Sequence, residues 1–132
     1  MPPRAGKRIT ASAVGCGVDV VDLVRFKAAV RRGGEAFLRR VFTAREVAYA
    51  RARKRTTLLH LAGRFAAKEA VIKALSQVAP GASPAMNQIE VRNDTLGRPH
   101  IVLHAAGRKR VRVYVSLSHV KSVAVASAII LR

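Results

Sequence analysis

Acidic side chains are scarce: 7 Asp and Glu stand against 25 Lys and Arg in 132 residues, a formal charge of +18. Such an excess favours polyanionic partners, whether nucleic acid, phosphorylated cofactors, acidic proteins or membrane surfaces. A single cysteine, Cys16, excludes an internal disulfide, and no Cys/His cluster has zinc-site spacing. Cys16 is read as strand packing. Tryptophan is absent, and four Phe with two Tyr leave no aromatic platform for stacking bases. Half of the residues are apolar, yet no uninterrupted run approaches the roughly 20 that would span a bilayer. The first thirteen residues lack the apolar centre and small-residue cleavage site of a secretory signal. The expectation is a basic tail over 1–13, a single domain over 14–132, a cytoplasmic address, and neither a nucleic-acid nor a membrane partner.

Val14, Cys16, Val18 and Val20 alternate with Gly15, Gly17, Asp19 and Val21, the period-two pattern of a half-buried strand with Asp19 pointing away from the valine face. Asp22 is placed to cap a helix over 23–32 that Gly33 and Gly34 stop, and a short helix is expected over 36–40. Thr43 and Glu46 match a capping box opening a helix that runs to about Arg53. The basic stretch Arg51, Arg53, Lys54, Arg55 ends it, and Thr56 or Thr57 is placed to cap the longest helix, over 58–75. Pro80, Gly81, Ser83 and Pro84 mark a loop, followed by strand patterns over 88–92, 100–104, 111–118 and 123–131, with hairpin connections over 93–98 and 119–122. The fold class is α+β, with helices packed on a small antiparallel sheet in the C-terminal half.

The long helix is apolar on two faces, one bearing Leu61, Phe65, Val71, Ile72 and Leu75, the other Ala62, Ala66, Ala70 and Ala74. Such a helix is buried, and an alanine face admits a neighbouring backbone or a ligand at close range. Its charged residues are Arg64, Lys68, Glu69 and Lys73. Glu69 and Lys73 have the spacing of a helical ion pair; Arg64 and Lys68 repel, and a bound anion would offset that. A carboxylate beside a lysine, with two further cations on one helix, also suits a metal–phosphate site. Asp19 and Glu69 are the natural carboxylate pair for it. His119, at a strand end beside a turn, is either a solvated histidine or a site residue. His60, His100 and His104 are read as surface or packing residues.

Four strings carry a resemblance: Gly17-Val18-Asp19-Val20-Val21; Phe42-Thr43-x-x-Glu46; Leu61-Ala62-Gly63-Arg64-Phe65-Ala66-Ala67-Lys68-Glu69-Ala70 with Lys73-Ala74-Leu75; and Val115-Ser116-Leu117-Ser118-His119. In this order they resemble the holo-[acyl-carrier-protein] synthase family over about residues 14–131. The resemblance implies transfer of the 4′-phosphopantetheine arm of coenzyme A to a serine of an acidic acyl carrier protein. It implies Mg²⁺, or Mn²⁺ in its place, on Asp19 and Glu69, and Lys73 on the pyrophosphate. Arg64, Lys68, His119 and the Arg53 and Arg55 cluster are expected to hold phosphate groups of coenzyme A. The general base stays open between His119, Glu69 and a metal-bound water. A homotrimer with active sites between subunits is implied as well, and the carrier protein is expected to meet Arg25, Lys27, Arg31, Arg32, Arg39 and Arg45. Gln88 stands where relatives often carry an acidic residue.

Overall fold

The computed structural model describes residues 13–104 and 110–132. Strand β1 (Val14–Asp22) leads into helices α1 (Leu23–Val41) and α2 (Ala44–Arg51). A 3-10 turn at Lys54–Thr56 precedes α3 (Thr57–Val78), and a second, at Met86–Gln88, precedes β2 (Ile89–Asn93). Strands β3 (Pro99–Leu103), β4 (Arg112–Val120) and β5 (Val123–Leu131) complete the domain. The tail expected over 1–13 lies outside the described residues except for Ala13. That residue exchanges backbone hydrogen bonds of 3.3 and 3.0 Å with Arg132, so pairing reaches into the expected tail.

Local chemistry sets the helix starts. The Asp22 carboxylate accepts from the Arg25 N–H at 2.9 Å, capping α1. The Thr43 hydroxyl accepts from the Glu46 N–H at 3.2 Å while the Glu46 carboxylate accepts from the Thr43 N–H at 2.9 Å, the expected reciprocal box. Gly34, at φ 56° and ψ −148°, kinks α1, so the two expected helices adjoin at a left-handed glycine. Of the alternatives Thr56 and Thr57, Thr56 takes the N-cap position of α3, but neither side chain makes a capping bond. Both hydroxyls instead donate backward, to Arg53 O at 3.3 Å and to Ala50 O at 3.1 Å, because the basic stretch folds into its own tight turn.

The expected single sheet is two. A three-stranded sheet has the order β1-β5-β4, and β2 pairs with β3 alone. Pairing is antiparallel and unbroken from Val14↔Leu131 to Asp22↔Val123, and from Arg112↔Leu131 to Val120↔Val123. Paired residues share a face, so Asp19, Ala126 and Leu117 form one row of the inner face, and Val21, Ala124 and His119 the next. This inner face packs on α3. A Cβ at Gly17 would lie 2.1 Å from the Ala70 carbonyl oxygen, and one at Gly15 would lie 2.3 Å from that of Ala74. The alanine face of α3 therefore admits a neighbouring backbone, that of β1, and its alanines are fully buried. The valine face of β1 looks outward. Val14, Val18 and Val20 are exposed, and Cys16 lies on the same exposed face instead of packing in the core.

Candidate active site

Strand β1 is a sheet edge, and side chains of α3 cover it. Gln77 donates to Cys16 O at 2.8 Å and accepts from Cys16 N at 3.0 Å. One turn earlier, the Lys73 ammonium donates to Val18 O at 2.9 Å and to the Asp19 carboxylate at 3.1 Å. Lys73 thus pairs with Asp19 across the strand–helix seam, and no ion pair joins it to Glu69. Glu69 lies one turn before Lys73 on the same stripe of α3, half-buried, and none of the hydrogen bonds or ion pairs among the described residues engages it. The packing of Gly17 against Ala70 brings Asp19, two residues farther along β1, to the turn of α3 that carries Glu69 and Lys73. Among the described residues no group of three or more His, Cys, Asp or Glu side chains forms a metal cluster. Two carboxylates beside an open seam suit a hard cation that completes its shell with water and phosphate oxygens, so the donor set fits Mg²⁺ and not a closed protein cage.

Lys68 corrects the expectation that it holds phosphate. It is fully buried, and its ammonium donates to Glu46 at 2.5 Å, Val41 O at 2.7 Å and Met86 O at 3.1 Å, which uses all three protons. Burial pulls its pKa below the ordinary lysine value, and Glu46 opposes that shift. The buried carboxylate beside a lysine is therefore Glu46, not Glu69. Glu46 also accepts from the Val91 N–H at 2.9 Å, fastening α2 and α3 to β2. Behind it, Glu90 accepts from the Thr43 hydroxyl at 2.8 Å and Arg92 at 2.7 Å and contacts His104 at 3.2 Å. Burial favours the protonated acid, but these hydrogen bonds outweigh it and hold the Glu90 carboxyl below its usual value.

On the β4 side of α3 lies a cavity of about 290 Å³, whose polar lining includes Tyr49, His60, Arg64, Asn93, Ser118 and His119. Arg64 is 4% exposed and donates to the Asn93 side chain at 2.8 Å. Its guanidinium packs on the Tyr49 ring at 4.1 Å, beside Arg53 at 3.5 Å. The Arg64 Nε is buried and has no hydrogen-bond partner among the described residues. An orphaned cationic donor in a polar cavity calls for an anion. His119 lines this cavity from the end of β4. Sequence reasoning missed Tyr49, Asn93 and His60. His60 carried one signal, its place one turn before Arg64, which puts both on the same face of α3.

The remaining expected residues are surface cations. Arg25, Lys27, Arg31, Arg32, Arg39 and Arg45 are all exposed on α1 and α2, and Arg55 is exposed in the 3-10 turn. Arg51 pairs with Glu35, and His100 is exposed. No helix among the described residues is long and apolar enough to cross a membrane.

Fold and site together describe an α+β protein with a carboxylate–lysine seam and a nearby cationic cavity. The same fold occurs in an ACPS–CoA complex from Chronobacterium ammoniagenes, with TM-score 0.78 and 33% identity over 91% of this chain and 98% of that one. It occurs too in a holo-(acyl-carrier-protein) synthase from Bacillus anthracis in complex with CoA (3′,5′-ADP), with TM-score 0.74 and 32% identity over 90% and 98%. The holo-[acyl-carrier-protein] synthase of Chlorobaculum parvum is 42% identical over 114 residues, 86% of this chain and 95% of the relative. The model of the 4′-phosphopantetheinyl transferase superfamily matches residues 15–128, and the chain belongs to that superfamily.

Proposed function

We propose that the chain is a holo-[acyl-carrier-protein] synthase whose reaction runs at the seam between β1 and α3. A serine hydroxyl of apo acyl carrier protein attacks the phosphorus of coenzyme A that bears the pantetheine arm. A new serine–phosphorus bond forms, the bond from that phosphorus to the bridging oxygen breaks, and adenosine 3′,5′-bisphosphate leaves with the oxygen. The observation that carries this reading is the Lys73–Asp19 pair across the seam, one helical turn from Glu69, in a chain of this superfamily. Asp19 and Glu69 would hold Mg²⁺, which neutralises charge on the pyrophosphate oxygens. Lys73, already paired with Asp19, contributes a second positive charge to the same oxygens. Arg64 and His119 hold a further phosphate in the cavity, with Arg53 stacked on the Tyr49 ring that lines it. Glu69 and His119 both remain candidates for taking the serine proton.

Two features support a homotrimer with shared sites. The outer face of the β1-β5-β4 sheet exposes Val14, Val18, Val20, Ile129, Tyr114 and Val120, an apolar surface that needs a cover. The Asp19 seam lies at the β1 edge and the cavity at the β4 side, two strand steps or about 10 Å apart across the sheet. Copies packed through the outer face can bring one protomer's seam to another's cavity. The exposed cations of α1, from Arg25 to Arg32, would meet the acidic carrier protein, in a cytoplasmic setting, and steer it electrostatically.

The test is the intact mass of an apo acyl carrier protein after incubation with the protein, coenzyme A and Mg²⁺. A gain of one phosphopantetheine group that EDTA abolishes supports the reading. No gain with several carrier proteins would sink it.

A further inference from the structure

The cavity holds more than the phosphate contacts assigned above. His60 projects into it from α3, one turn before Arg64, and faces His119 from β4. Its ring meets Tyr49 of α2 edge-on, with centroids 5.5 Å apart and planes at 87°. The contact fixes the ring. Neither ring nitrogen is hydrogen-bonded to another described residue. Among the described residues, the charged and titratable groups around it are Arg64 on α3, Arg53 after α2, His119 on β4 and Tyr49 on α2, and no carboxylate lines the cavity.

We propose that His60 is a specificity-determining residue that reads a phosphate monoester dianion in this cavity by taking up a proton when it binds. The inference rests on the reading that Arg64 and His119 hold phosphate there. Without an anion, burial, followed by the charges of Arg64, Arg53 and His119, holds His60 below the ordinary histidine value, so the ring is neutral near pH 7. A dianion between these groups reverses the local field. The imidazole then gains a proton from solvent and donates a charge-assisted hydrogen bond. Coenzyme A offers two kinds of phosphate. Its pyrophosphate oxygens carry one charge per phosphorus and no proton that titrates near neutrality. Its 3′-phosphate is a monoester with a second pKa near 6 and is mostly dianionic at pH 7. Only the monoester supplies the second charge that protonates His60, so the histidine distinguishes coenzyme A from its dephospho form.

The linkage has a definite sign. Binding raises the pKa of His60, so at and above pH 7, where the monoester is mostly dianionic, its affinity falls as pH rises toward the bound-state value. The experiment titrates the full-length protein with coenzyme A and with dephospho-coenzyme A. Calorimetry is run at pH 7 in two buffers of different ionisation enthalpy and repeated at pH 8.5. The expected result is net proton uptake with coenzyme A and none with the dephospho form. The advantage of coenzyme A should shrink at least about threefold by pH 8.5, within the tenfold per unit that one proton allows. His60→Phe, which keeps a ring against Tyr49, should abolish the uptake, and His60→Gln gives the same comparison if Phe perturbs folding. Uptake that persists in both variants, or that disappears only in His119→Gln, overturns the role of His60 and leaves the phosphate site standing. Equal affinity for the two ligands in the unmodified protein overturns the phosphate site and the inference together.

Discussion

Among single residues, Lys68 and Glu69 are neighbours in sequence with opposite fates. Lys68 points into the core and spends its three protons on Glu46, Val41 and Met86, while Glu69 is half-buried and makes none of the hydrogen bonds or ion pairs among the described residues. Lys68→Met would leave Glu46 buried without its counter-charge. We expect a loss of about 3–5 kcal/mol in denaturant unfolding, partly restored by Glu46→Gln in the same chain. Glu69→Gln changes no packing and removes one negative charge from the proposed metal pair. Transfer should fall by about a hundredfold or more with an unchanged melting temperature, the scale of losing one electrostatic contact to a developing charge. Near-normal transfer would refute the metal assignment.

Among elements, the packing of β1 on α3 decides the site, and glycine makes it possible. A side chain at Gly17 would enter the Ala70 carbonyl, so Gly17→Val should displace β1, separate Asp19 from Lys73 and yield little folded protein. The join between α2 and β2 is an acid-sensitive part of the fold. Glu90 has a depressed carboxyl, so its contribution is complete above the unfolded value of about 4.3 and is lost as pH falls through the lower folded value. Glu90→Gln should therefore lower stability at neutral pH and flatten the acid limb of the stability profile, as read by melting temperature from pH 3 to 7.

For the whole molecule, the outward apolar face and the high positive charge set its associations. Val18 lies midway along β1 on the outer face, beside Ser127 on β5. The proposed homotrimer predicts a trimer mass in light scattering that Val18→Asp converts to a monomer mass, with loss of transfer. A monomer that remains fully active would overturn the shared-site arrangement. Arg25→Glu should raise the KM for carrier protein far more than that for coenzyme A, with the difference shrinking as salt is added. An equal effect on both substrates would remove Arg25 from the docking surface.

Short-range chemistry was readable from the sequence alone. The caps at Asp22 and Thr43, the left-handed Gly34, the alternation of β1 and the doubly apolar α3 all follow from residue type and spacing, which act within a turn or a strand. The strings around Asp19, Glu69 and Lys73 likewise identified the family. Tertiary structure decided which face of β1 is buried, because glycines leave room for a helix backbone where valines do not, and an alternating strand looks the same whichever face is covered. It also decided that Lys68 belongs to the core and His60 to the cavity. Both depend on what α2, β2 and β4 bring to the surface of α3, and those partners lie too far along the chain for any periodicity to reveal.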